Sequence, residues 1–180
     1  MHIFLQKYFF INKFDTKILD HQDPGTTIIY RNYQTNKVDL KSIIKLKNYC
    51  RIKKFKFLIS NNFKLALKLN LNGAYIPAFN NSTKHLGFST KKNFMIIGSA
   101  HNLKQIRIKE KQNISSIIIS SLFKKNKNYL GIYRFNILKK FTKKKIICLG
   151  GVNKANMNKI KLLNCDGFAG ISYFEKKRPL

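Results

Sequence analysis

Short runs of apolar and β-branched residues recur along the chain, separated by stretches of about ten residues in which apolar side chains fall three and four apart. The short runs are Tyr8 to Phe14, Thr26 to Tyr33, Lys56 to Ser60, Gly73 to Ile76, Phe94 to Gly98, Ser115 to Ser121, Lys145 to Leu149 and Gly167 to Ser172. Their length and β-branched content predict strands, and their alternation with amphipathic stretches predicts a parallel sheet covered by helices. Several of the intervening stretches open on helix-capping residues. Asp39 precedes Leu40, Ile43, Ile44 and Leu46; Asn61 or Asn62 precedes Leu65, Leu67 and Leu69; His101-Asn102 precedes Leu103 and Ile106; Asn153 precedes Met157, Ile160 and Leu163. Asn80 to Lys92 has little periodicity and contains Gly87, so the fourth helix is expected to be short or irregular.

About eight strands is the number that closes a (β/α)8 barrel. A flavodoxin-like open sheet needs only about five and leaves the other runs unexplained. The expected fold is therefore a single-domain α/β TIM barrel over residues 1–174, minimal at about 22 residues per βα unit. Its last helix is truncated near Phe174, and a basic tail over 175–180 ends Arg178-Pro179-Leu180. No internal repeat or linker divides the chain.

Composition narrows the class. An apolar fraction of 44% over 180 residues supplies one ordinary core. No apolar run is long enough to span a bilayer, and Ile3-Phe4-Leu5 is interrupted by Gln6 and Lys7 before a signal sequence develops, so the expected location is cytoplasmic, with no membrane partner. Cys50, Cys148 and Cys165 are far apart and lack metal-ligand spacing, which predicts reduced core thiols. The 36 Lys+Arg against 7 Asp+Glu give a net charge of +29, which ordinarily points to nucleic acid. Here the lysines run along the whole chain together with abundant Asn, Ile and Phe, all encoded by codons rich in A and T. A biased genome produces that pattern without selection for binding. A basic RNA-associated protein stays as an alternative, with no motif for specific nucleic-acid recognition beside the charge.

In a barrel of this kind, function clusters where strands end. Those positions hold Asp15, Arg31 with Asn32, Asn61 with Asn62, Tyr75 with Pro77, Ser99 with His101, Ser120 with Ser121 and Phe123, Gly150 with Gly151, and Ser172. Gly150-Gly151 follows the apolar run Ile146 to Leu149 and precedes a helix beginning near Lys154, an arrangement that offers backbone N–H groups to a phosphate. Gly170-Ile171-Ser172 on the neighbouring strand adds donors at the usual phosphate position of barrels. A tight βα turn uses the same glycines for steric reasons.

Leu149-Gly150-Gly151-Val152-Asn153, Cys165-Asp166-Gly167-Phe168-Ala169-Gly170-Ile171-Ser172, Ser99-Ala100-His101 and Leu65-Ala66-Leu67 with Asn72-Gly73-Ala74 resemble, in order and spacing, the landmarks of the thiamin phosphate synthase/TenI family. Ile28-Ile29-Tyr30-Arg31 resembles that family's second strand, whose Arg contacts substrate. The resemblance runs from about Gly25 to Phe174. It implies a pocket for the phosphate of hydroxyethylthiazole phosphate at Gly150, Gly151, Ile171 and Ser172. It also implies a reaction with a pyrimidine diphosphate, held by Mg2+, that gives thiamin phosphate and pyrophosphate.

The chain departs from the family where the metal belongs. The Asn-Asp landmark after the third strand reads Asn61-Asn62, and the Gly-Gln-x-Asp stretch after the fourth reads Pro77-Ala78-Phe79-Asn80. Both carboxylates are lost, so no metal ligand is assigned; Mg2+ is implied only where synthase activity is retained. Asp15 and Asp39, the acidic residues that fall near the top face, fit helix N-caps. The TenI branch uses a His where this chain has Ser120-Ser121-Leu122-Phe123, and that His is absent. His101 has the chemistry of an acid or base and equally that of a loop-fixing residue. Arg31 faces either substrate phosphate or a structural pair with Asp15. The expected catalytic set is Arg31, Asn62, His101 and Ser121, with Asn61, Ser99 and Lys127 as further substrate contacts. The expected partners are small phosphorylated substrates, thiazole phosphate and pyrimidine diphosphate, with a homo-oligomer left open. The alternatives are a TenI-like thiazole phosphate binder or isomerase, and the RNA-associated protein.

Overall fold

The computed structural model describes residues 5–33 and 39–175. Eight parallel strands close into a barrel in chain order, each hydrogen-bonded to the next and β8 to β1. They are β1 (Gln6–Ile11), β2 (Thr27–Tyr30), β3 (Lys56–Ser60), β4 (Gly73–Ile76), β5 (Met95–Ala100), β6 (Ser116–Ser120), β7 (Lys145–Leu149) and β8 (Gly167–Gly170). The helices between them are α1 (Thr16–Leu19), α2 (Leu40–Ile52), α3 (Phe63–Lys68), α4 (Leu103–Lys111), α5 (Gly131–Lys140) and α6 (Met157–Leu162), with α7 (Ser172–Glu175) last. The TIM barrel expected from the pattern is the fold. Of the 175–180 tail, residues 176–180 lie outside the described residues.

Three differences from the sequence reading have physical causes. β1 begins and ends earlier than Tyr8 to Phe14, because Asn12 and Lys13 leave the sheet to carry the chain to Asp15. Asp15 caps α1, its side chain accepting from the Lys17 N–H at 3.0 Å. β8 stops at Gly170, so Ser172 opens α7 rather than ending the strand. Helix α5 was not anticipated: its N-cap, Leu130, makes no side-chain cap bond, and Phe135 alone is buried along it. The irregular Asn80 to Lys92 stretch contains a single 3-10 turn, Lys84–Gly87, as its weak periodicity implies.

Register determines what fills the barrel. Tyr8 pairs with Thr27 and Thr27 with Lys56; Leu58 pairs with Gly73 and Gly73 with Met95; Ile97 pairs with Ser116 and Ser116 with Lys145; Ile147 pairs with Gly167 and Gly167 with Gln6. Parallel partners share a face, and four-residue layers arise from alternate strands. From the N-terminal end the layers are Gln6, Lys56, Met95 and Lys145; Thr27, Gly73, Ser116 and Gly167; Tyr8, Leu58, Ile97 and Ile147; Ile29, Tyr75, Ile118 and Ala169; and, at the C-terminal end, Phe10, Ser60, Ser99 and Leu149. The central layers are an apolar cluster of their own. The second layer is small throughout because Gly73 and Gly167 face neighbouring backbone: a Cβ there would meet Met95 O at 2.1 Å and Gln6 O at 2.5 Å. Outward positions such as Phe9, Ile28, Phe57, Ile117, Ile119 and Phe168 form the second core, under the helices.

The β4–β5 connection is clasped from α4. Lys109, on a helix whose basic residues otherwise suit solvent, is fully buried. Its Nζ donates to Pro77 O at 2.9 Å, Asn80 O at 2.7 Å and Gln112 Oε1 at 2.9 Å, while the Gln112 amide donates to Asn80 O and Ser82 O. The lysine stem lies against Gly98, where a Cβ would stand 2.7 Å from its Cδ. Burial lowers the Lys109 pKa to about 8.

Candidate active site at the C-terminal face of the barrel

Arg31 follows β2 and donates its backbone N–H to Ile11 O at 2.7 Å. Its guanidinium lies 4.6 Å from the centroid of the Phe10 ring and 5.9 Å from that of Tyr33. Phe10 in turn meets Tyr75 edge-on at 5.2 Å. The ion pairs among the described residues are Lys7–Asp23, Lys53–Asp20 and Arg107–Glu110. The alternative pairing of Arg31 with Asp15 is therefore not formed, because Asp15 is turned onto its own helix. A cavity of about 420 Å³ opens here, with Phe10, Lys13, Arg31, Tyr33, Ile171 and Glu175 among its lining.

Beside Arg31 is a chain of polar contacts. Tyr33 and Ser60 share a hydroxyl hydrogen bond of 2.8 Å, and the Tyr75 hydroxyl donates to Ser99 Oγ at 2.8 Å. Burial pushes the Tyr75 phenol up to about 12, so it stays protonated and keeps donating. Asn61 donates its backbone N–H to Tyr75 O at 2.8 Å and adopts φ +58°. The other described non-glycine residues with positive φ, Lys54, Asn70, Asn113 and Asn164, lie just beyond helix ends, where a left-handed residue closes the helix. Asn61 instead sits between β3 and α3, at the mouth of the barrel. Its Oδ1 accepts from the Asn80 amide. Asn62 caps α3, its Oδ1 accepting from Leu65 N–H at 3.0 Å. His101 Nδ1 lies 2.8 Å from Ser120 O and 3.1 Å from Ser120 Oγ, and Gln105 Oε1 accepts its backbone N–H. A carbonyl oxygen can only accept, so Nδ1 is the donor in the 2.8 Å contact, which fixes the ring against β6.

A Mg2+ ion takes hard, preferably anionic oxygens. At the two positions that the sequence resemblance assigns to the metal, this chain offers Asn62, whose oxygen caps a helix, and Asn80, whose Oδ1 accepts from Ser82 N–H at 2.8 Å. Among the described residues no three His, Cys, Asp or Glu side chains gather into a cluster able to hold a metal. The donor set does not fit the ion.

On the opposite rim, Gly150 and Gly151 have φ +107° and +73°. A Cβ at Gly150 would lie 2.3 Å from Ser121 Oγ, and one at Gly151 would lie 2.7 Å from Lys124 N. The β6–α5 loop is thus laid directly on the glycine pair, with Leu122 N–H and Phe123 N–H donating to Leu149 O and Gly150 O. Ser121 is buried and spends its hydroxyl on Lys124 O at 2.8 Å. Lys127, in the same loop, is exposed. A 3-10 turn, Lys154–Asn156, begins the next helix under an Asn153–Asn156 capping box, close to the expected start near Lys154. The register Leu149↔Ala169 sets the ends of β7 and β8 side by side, so Gly150 runs beside Gly170 and the exposed Ile171 and Ser172.

The residues proposed from sequence thus form two groups. Arg31, Asn61 and Ser99 are linked through Phe10, Tyr33 and Tyr75, and Gly150 and Gly151 pack directly on Ser121 and the loop it begins. His101 is tied to β6 and Asn62 to α3. Phe10 and Tyr33 were missed, although strict alternation along β1 points Phe10 inward. Nothing in the sequence distinguishes Lys109 from the surface lysines around it.

The comparisons agree with this architecture. A family model described as thiamine monophosphate synthase matches residues 16–174. No curated protein sequence matches. Among solved structures, thiamine phosphate pyrophosphorylase from Pyrococcus furiosus superposes with a TM-score of 0.75 at 17% identity, covering 97% of this chain and 94% of that one. The thiamine phosphate pyrophosphorylase of Bacteroides thetaiotaomicron gives 0.62 at 15% identity, covering 94% and 83%. The putative copper homeostasis protein CutC of Streptococcus agalactiae gives 0.67 at 13%, covering 93% and 98%. At such identities the structural likeness shows the fold alone.

Proposed function

The chain belongs to the thiamine monophosphate synthase family, and on that premise we propose that it is a divergent thiamin phosphate synthase that joins a pyrimidine diphosphate to hydroxyethylthiazole phosphate and releases pyrophosphate. The observation that carries the reading is the rim built by β7 and β8. Two glycines in left-handed backbone stand beside the Ile171-Ser172 turn, where backbone N–H groups suit a phosphate. In this reading Gly150, Gly151, Ile171 and Ser172 hold the thiazole phosphate, and Ser121 positions the loop over them. Arg31 meets the leaving diphosphate: it is held by Phe10 and makes no ion pair among the described residues, so its charge is available to an anion. Lys127 adds a second cation from the β6–α5 loop. Ser99, oriented by the Tyr75 hydroxyl, and Asn61 line the reacting end. Asn62 and His101 act by holding α3 and β6 in place.

A second reading has its own observation. Asn62 and Asn80, at the positions where the resemblance puts the family's metal-binding carboxylates, are neutral amides spent on a helix cap and on Ser82 N–H, which favours a TenI-like thiazole phosphate binder or isomerase without synthase activity. Formation of thiamin phosphate from the two substrates, with and without Mg2+, separates them. The synthase reading predicts turnover that Arg31→Ala and Gly151→Asp both abolish. No turnover above the enzyme-free rate, with thiazole phosphate still raising the Tm, moves the assignment to the second reading.

A further inference from the structure

We propose that the opposite, N-terminal mouth of the barrel is a second binding site, for a compact oxyanion of the phosphate class, held between Lys56 and Lys145. This site is independent of the one at the C-terminal face. In most barrels of this type the layers inside the sheet are filled by branched apolar side chains. Here the first layer carries two lysines, on β3 and β7, strands that lie opposite each other around the eight-stranded ring. The layer behind them, Thr27, Gly73, Ser116 and Gly167, is too small to fill the mouth. The result is a bowl of about 700 Å³ whose lining includes both lysines, Ser116 and Asn164.

Charge and hydrogen bonding in the bowl favour an anion. Neither lysine is in an ion pair among the described residues. Asp166, the carboxylate at the rim, has its Oδ2 accepting from Ile146 N–H at 2.8 Å, and its charge, which also helps to raise the pKa of the Tyr8 phenol in the same lining, is outnumbered there by the two lysines. Ser115, also at the rim, spends its hydroxyl on Ile96 O. On the strand beside Lys56, Thr27 is 1% exposed, and its Oγ1 has no hydrogen-bond partner. Thr27 lies in the layer behind the bowl and is not itself in its lining; a buried hydroxyl without a partner costs stability, and a water drawn in beneath a bound oxyanion would satisfy this one. The other lysines of this basic chain mostly stand on helices and loops. These two stand at inward register positions of the sheet, over a layer of small residues.

Titration of isotopically labelled, intact protein with inorganic phosphate and with pyrophosphate, at about 0.15 M salt, tests the site by amide shifts. The expected result is saturable shifts at Thr27, Lys56, Ser116 and Lys145. Affinity should fall at least about tenfold in Lys56→Gln/Lys145→Gln, the loss of charge-assisted bonds to the ligand. Thr27→Val should weaken binding several-fold while leaving the fold at least as stable, since the hydroxyl has no protein partner to lose. Saturation by pyrophosphate but not phosphate identifies a diphosphate-sized ligand, and saturation by both identifies a single phosphate group; either supports the site. Shifts confined to Arg31, Gly150 and Gly151, unchanged affinity in the double-lysine variant, or response to an RNA oligonucleotide alone would overturn it. Because the two ends of the barrel are reported by different amides, failure here is distinct from failure of the synthase assignment.

Discussion

Replacing Gly150 with alanine tests whether the β7 rim is as tightly built as its geometry implies. The added Cβ would meet Ser121 Oγ at 2.3 Å and Ser121 Cα at 2.9 Å, distances that demand movement of the β6–α5 loop. The residue would also keep φ +107°, which costs an L-residue about 1–2 kcal/mol. Overpacking of this kind adds about 1–3 kcal/mol, so the total is about 2–5 kcal/mol. For a chain of this size that corresponds to a fall in Tm of about 4–20 °C. Gly170→Ala is the matched control on the neighbouring strand: its Cβ would meet nothing closer than 3.6 Å. It should change stability by less than about 0.5 kcal/mol. Urea unfolding of the three proteins gives the comparison. Ser121→Gly combined with Gly150→Ala should recover part of the loss, because it removes the hydroxyl that the new methyl would strike but leaves the dihedral strain and the clash with the Ser121 backbone. Equal stability of Gly150→Ala and Gly170→Ala would refute the packing argument, and with it the reason for a glycine pair at that rim.

Other outcomes follow from single interactions. Lys109→Met should destabilise by about 2–4 kcal/mol in denaturant titrations, since it strands Pro77 O and Gln112 Oε1 and removes one of the two donors to Asn80 O. The same residue has a pH signature. Its pKa falls from 10.5 to about 8 on folding, so between those values the unfolded chain binds more protons and stability rises with pH. The difference between wild type and Lys109→Met should therefore grow in favour of wild type from about pH 8 to about 10.5; a flat difference would contradict the burial argument. Lys54→Gly, at φ +57° beyond α2, should raise Tm by relieving about 1 kcal/mol of left-handed strain. Tyr75→Phe should cost about 0.5–1.5 kcal/mol through its bond to Ser99 and, in the synthase reading, lower kcat more than it raises KM.

What the sequence discloses and what it hides divide along physical lines. β3, β4 and β7 are bounded as their apolar runs predict, because a buried parallel strand needs continuous apolar residues and Asn61, Pro77 and Gly150 end them in turn. Asp15, Asp39, Asn62 and Asn153 cap helices, since capping is a local matter of one side chain and the N–H groups that follow it. Helix α5 carries no such cap and escaped notice. The candidate site could be proposed as a set of strand-end residues, but its internal contacts could not be read from the sequence. That Arg31 rests on Phe10 rather than pairing with Asp15, or that Asn61 bonds to Asn80, depends on register between segments far apart in sequence. Lys109 was invisible for a related reason: a buried lysine differs from a surface one only in which loop carbonyls happen to lie above it.

Asn62 and Asn80, at the positions that the sequence resemblance assigns to metal-binding carboxylates, make a last prediction that separates a site lacking only its acidic side chains from one whose loops have moved. Asn62→Asp is close to neutral for folding, because aspartate caps a helix as well as asparagine. Asn80→Asp keeps the acceptor that Ser82 N–H uses. Asn61, freed from the Asn80 amide, can turn its own amide toward the new carboxylate. If the backbone still holds the family's geometry, the double variant regains two anionic oxygens at the mouth, while wild type has none at these positions. A dissociation constant of about 1 mM would then give about 1.4 kcal/mol of stabilisation in about 10 mM Mg2+, a rise in Tm of about 3–6 °C. Wild type should show no such Mg2+-specific rise beyond that produced by matched monovalent salt. A rise in Tm confined to Asn62→Asp/Asn80→Asp would mean that only the side chains were lost. No rise in either protein would mean that the loops themselves have moved, and that any diphosphate chemistry here depends on Arg31 and its neighbouring cations.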